Sequence, residues 1–244
     1  MSNTVFLTAL FMPFIFFLYL IVQRFTLSLI NKNVLNIGVA ISVIVSLVAC
    51  IIKYFILPDD NTVFLIAANF IFFIICAFSY IFFKLKKQFM FTKLRYYIFL
   101  SLFICTTYLF ILSENLIFSA LFWILSGVII YIFSYFDIFK INADYNPNRF
   151  YSIFLIGDFS LLLVCFMFTK YAIISDDFSY LIRFDDIASV ANYIIRSSDF
   201  EYVLFPVCLA AALFSRAFIF PFSCFFSFLA NTSNLLYMVI YLTM

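Results

Sequence analysis

The segment VFLIAANFIFFIICAFSYIFF, residues 63–83, contains no charged residue and ends directly at Lys84. A bilayer core of about 30 Å requires about 20 apolar residues in helical form, because lipid offers no partner for an unpaired backbone group. This segment is therefore long enough and apolar enough to cross a membrane. Similar segments lie on both sides of it, and together they predict an all-α fold, a polytopic membrane helix bundle.

The overall composition agrees with this segment. Hydrophobic residues make up 67% of the 244 positions and charged residues 11%. A soluble chain could not enclose 40 Phe and 16 Tyr in one core and still present a polar surface. The net charge of +2 is too small to indicate a nucleic-acid partner. The bias toward Phe, Ile and Asn is typical of an AT-rich genome, either that of an organelle or that of an AT-rich parasite or symbiont nucleus.

The absence of histidine excludes Ser-His and Cys-His nucleophile pairs, His-ligated haem and His-containing zinc sites. The cysteines lie in apolar runs and form no Cys-x-x-Cys pair, which argues against a disulfide framework or a metal cluster. We expect them to be small residues facing lipid or the core. They are Cys50, Cys76, Cys105, Cys165, Cys208 and Cys224. The sequence thus predicts no catalytic residue, no metal site and no cofactor.

The hydropathy window predicts about seven to eight spans. The first lacks a basic flank and a cleavage site, so we expect it to be a retained span. The predicted spans are Thr4–Val22, Val34–Leu57, Val63–Phe83, Tyr96–Ser113, Leu116–Phe136, Phe150–Thr169 and an apolar region from Tyr202 almost to the end, broken at Asn231–Asn234. A polar stretch at 175–201 precedes the last region, and Ile187–Ile195 within it suits a short interfacial helix. We divide the chain into 1–95, three spans and a basic loop, and 96–244.

Basic residues predict the orientation of the bundle. The segment from Lys84 to Arg95 is rich in lysine, and the positive-inside rule places it in the matrix or cytoplasm, with the N-terminus outside. The same side receives Arg24, Lys32, Lys84, Lys86, Lys87, Lys93, Arg95, Lys140 and Arg149, whereas Lys53, Lys170, Arg183, Arg196 and most of the acids fall on the other side.

Two charged residues inside predicted spans are candidate functional residues, because a charge in lipid is costly. Asp158 follows Gly157 in the middle of the sixth span and is either a protonatable relay group or a structural carboxyl. Arg216 lies shortly before Pro221, a residue that opens a helix. Arg216 either biases protons electrostatically, or pairs with a carboxylate or snorkels to the interface. The second interpretation is favoured, because a guanidinium does not release its proton at accessible pH. Ser119, Ser126 and Ser134, with Gly127 beside them, are typical of helix–helix packing.

Read in order, the segments resemble the antiporter-like subunits of respiratory complex I, the proton-pumping NADH:ubiquinone oxidoreductase, and most of all its subunit 5. The Gly-Asp pair favours subunit 5 over its sister subunits. The stretches that carry the resemblance are RYYIFLSLF at 95–103, Asn115 with Trp123, Gly127 and Tyr131, GDFSLL at 157–162, and RAFIFPFS at 216–223. The resemblance covers Arg95–Met244 and implies the first inverted repeat of that family, in the mitochondrial inner membrane.

The departures from the family pattern concern the proton path. The family's glutamate falls on Ile124, its broken-helix lysine on Arg216 and its histidines on Ser223 and near Ile240. Among the ionisable residues of the family pattern, only the aspartate has the same residue type in this sequence, at Asp158. Isoleucine and serine cannot change charge, so the resemblance implies a degraded or rewired half-channel and a largely structural role.

The partners implied are the other membrane-arm subunits of complex I and lipids such as cardiolipin. The family continues with a second repeat and a lateral helix, and Leu235–Met244 is too short to span a membrane. We therefore expect a companion chain that carries the C-terminal half. Two alternatives stay open: a stand-alone cation/proton antiporter, and a lineage-specific scaffold of another respiratory complex.

Overall fold

The computed structural model describes residues 3–26, 32–85, 90–135, 147–174 and 199–217. Every regular element in these ranges is an α-helix, which confirms the all-α prediction. The helices are α1 (Asn3–Leu10), α2 (Met12–Thr26), α3 (Lys32–Ile56), α4 (Asp60–Leu85), α5 (Met90–Leu112), α6 (Leu116–Tyr135), α7 (Pro147–Ile174) and α8 (Asp199–Ala217).

Four of these helices, α3, α4, α5 and α7, are long and apolar enough to cross a membrane. Shorter apolar stretches lie in α2, α6 and α8. The chain is therefore a multi-pass membrane protein. α8 begins at Asp199, inside the stretch predicted to be a polar loop. The interfacial helix predicted at Ile187–Ile195 and the apolar region beyond residue 217 lie outside the described residues.

The first predicted span is interrupted at Phe11. Pro13 has no backbone N–H and cannot continue the ladder of hydrogen bonds, so α1 ends and α2 begins around it. The carbonyl of Phe11 accepts from the amides of Phe14 and Ile15, at 2.9 and 3.1 Å, and joins the two pieces. The single span expected here is thus two consecutive helices, because proline overrides the apolar pattern locally.

Helix α5 is the centre of the bundle. It packs against α2, α3, α4 and α6. Within its candidate membrane span, Lys93–Leu112, 61% is buried in the protein, whereas 33% of the corresponding span of α3 is buried. The helix begins at Met90, so the division proposed at residue 95 falls inside it. The three N-terminal spans and α5 consequently share one core.

Helix α4 presents a continuous buried face to its neighbours. Buried positions recur at alternating intervals of three and four residues, the spacing that lets two helices pack side by side along their length. They are Thr62, Leu65, Asn69, Phe72, Cys76, Ser79 and Phe83. The opposite faces carry large exposed apolar side chains, such as Phe64 and Phe70, which suit contact with lipid.

The buried side chains form two cores. The N-terminal core is built from α1–α6 and includes Phe154 of α7. The C-terminal core joins the start of α6, the second half of α7 and α8 through Ala120, Phe168 and Cys208. The cysteines in the described residues are unpaired and buried in the protein: Cys50, Cys76, Cys105, Cys165 and Cys208. Of the two environments expected for the cysteines, lipid or the core, these five occupy the core.

Candidate functional site at the crossing of two helices

The candidate site lies where α7 crosses α8. One face of α7 is buried at three- and four-residue intervals through Phe154, Gly157, Ser160, Val164 and Phe168. The opposite face is exposed, with 64% of Phe159 accessible. The two helices run antiparallel, and the rings of Phe168 and Phe205 meet edge to face at 5.3 Å near one end of the pair.

Gly157 is the point of closest approach between α7 and α8. A Cβ atom at this position would overlap the Ser215 hydroxyl and would lie 2.8 Å from Ser215 Cβ and 3.3 Å from the Ala212 carbonyl oxygen. The Ser215 hydroxyl donates to that same carbonyl at 2.9 Å. Only glycine permits this separation of the backbones, as in the small-residue contacts common between membrane helices.

Asp158 is buried beside this contact. Its side chain is 4% exposed, and it lies on the protein-facing side of α7, away from the exposed Phe159. Insertion scales assign about 2.5–3.5 kcal/mol to an aspartate at the centre of a lipid-facing helix. Burial in the protein interior lowers the free-energy cost of placing the Asp158 carboxyl in the membrane. A change in its protonation would then affect the neighbouring helices and not the lipid.

The backbone of Arg216 lies at the level of Asp158 in the helix bundle. It follows Ser215 in α8, and Ser215 contacts Gly157, the residue before Asp158. The structure thus brings the backbones of the two ionisable candidates to one level of the bundle. Pro221 and Ser223 lie outside the described residues, so the predicted helix opening stays a prediction.

Helix α6 forms the other wall beside α7. The rings of Tyr131 and Tyr151 are 4.5 Å apart, which fixes the register of this antiparallel pair. Seven residues along α7 from Tyr151 is Asp158, and seven residues back along α6 from Tyr131 is Ile124. At a rise of about 1.5 Å per residue these two positions lie at similar depth. Asp158 and Ile124 are therefore level with one another.

The remaining motif residues in α6 occupy packing positions. The Asn115 carbonyl accepts from the Ser119 amide at 3.0 Å at the start of the helix. Trp123 is half-buried, with its ring 5.5 Å from that of Phe110 in α5. Gly127 is buried. These positions therefore hold α6 against its neighbours.

The serine stripe of α6 fits the packing interpretation where it is described. Ser119 is 8% exposed, and the Ser126 hydroxyl donates to the Trp123 carbonyl at 2.6 Å within its own helix. A hydroxyl satisfied by its own backbone needs no partner from another helix. The side chain of Ser134 lies outside the described residues.

A buried polar cluster that was not predicted from the sequence joins α3, α4 and α5. Asn69 Oδ1 accepts from the Ser46 hydroxyl at 2.5 Å and from the Tyr108 hydroxyl. Asn69 Nδ2 donates to the Leu65 carbonyl at 2.8 Å and lies 3.7 Å from Cys50 Sγ. Ser46, Asn69 and Tyr108 are fully buried. Each is a polar group that this environment tolerates because the others satisfy it.

The signal for this cluster was a spacing. Thr62, Asn69 and Cys76 recur every seven residues in an apolar segment, which is the repeat of a packed helix face. A polar residue at such a position points toward other helices. A search of the spans for charged residues does not find this cluster, because asparagine and tyrosine are neutral.

Within the described ranges, no group of three His, Cys, Asp or Glu residues lies close enough to hold a metal ion. The chain matches no protein-family model and no curated protein.

Proposed function

We propose that this chain is a membrane-arm subunit of proton-pumping NADH:ubiquinone oxidoreductase, similar to the first repeat of subunit 5, in the mitochondrial inner membrane. Its role is mainly structural, and electron transfer takes place in other subunits. A companion chain with the second repeat and lipids such as cardiolipin are part of the proposal. Any contribution to proton movement passes through Asp158, under the electrostatic field of Arg216.

The observation that carries the proposal is the position of the Gly157–Asp158 pair. The resemblance rests on this pair and on the stretch that starts at Arg216, which are far apart in sequence. In the structure Gly157 is in contact with Ser215, directly before Arg216. Two motifs chosen from sequence alone therefore meet at one depth of a multi-pass bundle, as the parts of one site should.

Migration on blue-native electrophoresis tests the assignment. We expect the full chain, detected by an antibody or tag, to comigrate with NADH-oxidising activity in mitochondrial membranes solubilised with a mild detergent. Free migration would favour the stand-alone antiporter, and comigration with a different complex would favour another respiratory scaffold. Either of these results contradicts the proposal.

Substitution Asp158→Asn tests the proton-transfer contribution. Asparagine preserves the shape of aspartate but cannot gain or lose a charge, so packing at the helix crossing should persist while proton transfer through this position stops. We expect an assembled complex with normal NADH oxidation and a partial loss of protons pumped per NADH in proteoliposomes.

The matched control is Ser160→Ala, two residues away on the same helix. The Ser160 hydroxyl donates at 2.7 Å to the Ile156 carbonyl within α7, so its removal should leave pumping unchanged. If Asp158→Asn changes neither assembly nor pumping stoichiometry, the relay role of Asp158 is wrong.

A further inference from the structure

A groove on the lipid-facing surface runs along the first turns of α4, next to the ends of α5 and α6. Its volume is about 770 Å³. The small side chains of Ala67 and Ala68 form the depression, with Phe64 and Ile71 at its two ends along α4. Phe110 and Ile111 of α5 also line it.

The groove has the length of one leaflet. The α4 residues that line it extend from Asn61 to Ile71. At a rise of about 1.5 Å per residue this is about 15 Å, half of a bilayer core of about 30 Å. Its apolar walls begin near the membrane surface and end near the midplane, which is the path of an acyl chain in one leaflet.

The mouth of the groove is polar. Asn61 in the first turn of α4 lines it, together with Ser113 and Glu114 in the turn that precedes α6. Asn61 and Glu114 also line a second cavity of about 650 Å³, together with Lys53, Asp59 and Asp60. The two cavities therefore adjoin, one apolar and one polar, at the membrane surface.

The charges of the polar cavity favour a cationic group. Among the described residues that line it, three are carboxylates and one, Lys53, is an ammonium. Lys53 Nζ lies 3.3 Å from Asp59 Oδ2 and 4.6 Å from the centre of the Phe6 ring. This ion pair joins Lys53 to Asp59, so the two further carboxylates of the lining, Asp60 and Glu114, give the cavity a negative potential that attracts an ammonium group.

We propose that these cavities bind one phospholipid with an ammonium-bearing head group, either choline or ethanolamine. One acyl chain lies along Phe64–Ile71, and the ammonium lies among Asp60 and Glu114. The inference does not depend on the proposed function, since it uses only the groove, its depth and its charges.

Photolabelling of the full chain in proteoliposomes tests the proposal. The probe is phosphatidylcholine with a diazirine in its acyl chain, in liposomes of equal phosphatidylcholine, phosphatidylethanolamine and phosphatidylglycerol, and adducts are mapped by mass spectrometry. We expect adducts concentrated at residues 61–71. Ala67→Phe fills the groove and should lower this labelling about tenfold, which corresponds to 1.4 kcal/mol.

The matched control is Ala77→Phe, an equal increase in size at an exposed position further along α4, outside the lining of the groove. It should leave labelling at 61–71 unchanged. A diazirine-bearing phosphatidylglycerol should label the groove weakly, and the pair Asp60→Asn and Glu114→Gln should remove this preference.

Three results would overturn the proposal. They are an even distribution of adducts over the lipid-facing surface, equal labelling by phosphatidylglycerol in the unmodified chain, and no effect of Ala67→Phe. Cross-links from residues 61–71 to another polypeptide in native membranes, in place of lipid adducts, would assign the groove to a protein partner and equally contradict it.

Discussion

Substitution Gly157→Ala is expected to destabilise the chain by about 2 kcal/mol. The new Cβ would overlap the Ser215 hydroxyl and approach the Ala212 carbonyl oxygen, and neither the Ser215 Cβ nor the backbone can rotate away. Because the Ser215 Cβ would lie only 2.8 Å from the new methyl group, the overpacking cost falls at the upper end of its usual range, about 3 kcal/mol. The gain in helix propensity from alanine, about 1 kcal/mol, offsets only part of it.

The measurement is thermal unfolding in detergent, followed with a thiol-reactive fluorophore. Cys165 and Cys208 are buried in the C-terminal core, so they should react first when α7 and α8 separate. For a chain of this size a loss of 2 kcal/mol lowers the midpoint by roughly 4–8 °C.

Two further variants separate overpacking from a general effect of alanine. Gly38→Ala meets only the far end of the Phe16 ring, a side chain that can turn away, and should change the midpoint much less. Ser215→Gly removes both the hydroxyl and the Cβ that obstruct residue 157, so Gly157→Ala should be nearly neutral in that background. Equal losses for Gly38→Ala and Gly157→Ala would show that the close approach does not limit stability.

Substitution Asn69→Leu is expected to cost about 1–2 kcal/mol, although it makes the chain more apolar. The leucine removes the acceptor that the Ser46 and Tyr108 hydroxyls share, so two hydrogen bonds between helices are lost. Ser46 can still donate to the Val43 carbonyl at 2.8 Å, and Tyr108 to the Ser46 hydroxyl at 3.1 Å. Hydrogen bonds between membrane helices average about 0.6 kcal/mol, with a maximum near 1.7, which sets the lower part of this range.

The control is Tyr108→Phe. Ser46 can still donate to Asn69 in this variant, so the loss should be close to a single bond, about 0.6 kcal/mol. In the thiol assay Asn69→Leu should expose Cys50 first, because its sulfur lies 3.7 Å from Asn69 Nδ2. A more stable Asn69→Leu chain would show that the cluster contributes nothing to the fold.

The helices were predictable because lipid imposes one simple rule. A long apolar run must satisfy its own backbone, so Val34–Leu57 and Leu116–Phe136 were located to within two residues of α3 and α6. The break near Pro13 was missed, since a hydropathy window averages over one residue. Proline acts through its missing N–H, which hydropathy does not register.

The candidate site was predictable in part. Burial of Asp158 followed from the cost of exposing a carboxylate to lipid, and the structure places it in the protein interior. The contact between Gly157 and Ser215 was not predictable, because the spacing of residues within one span does not show which helices are neighbours. The Asn69 cluster was missed for the same reason, since its members come from three helices and none of them alone indicates a cluster.

The way in which α6 and α7 contribute to both hydrophobic cores has a consequence for biogenesis. The N-terminal core draws mainly on α1–α5, which leave the ribosome first, whereas the C-terminal core needs α8. Insertion in the order of synthesis therefore lets the early helices associate while the later ones are still being translated. The pair formed by α7 and α8 then docks onto a preformed surface, and its absence would leave an incomplete bundle that membrane proteases can recognise.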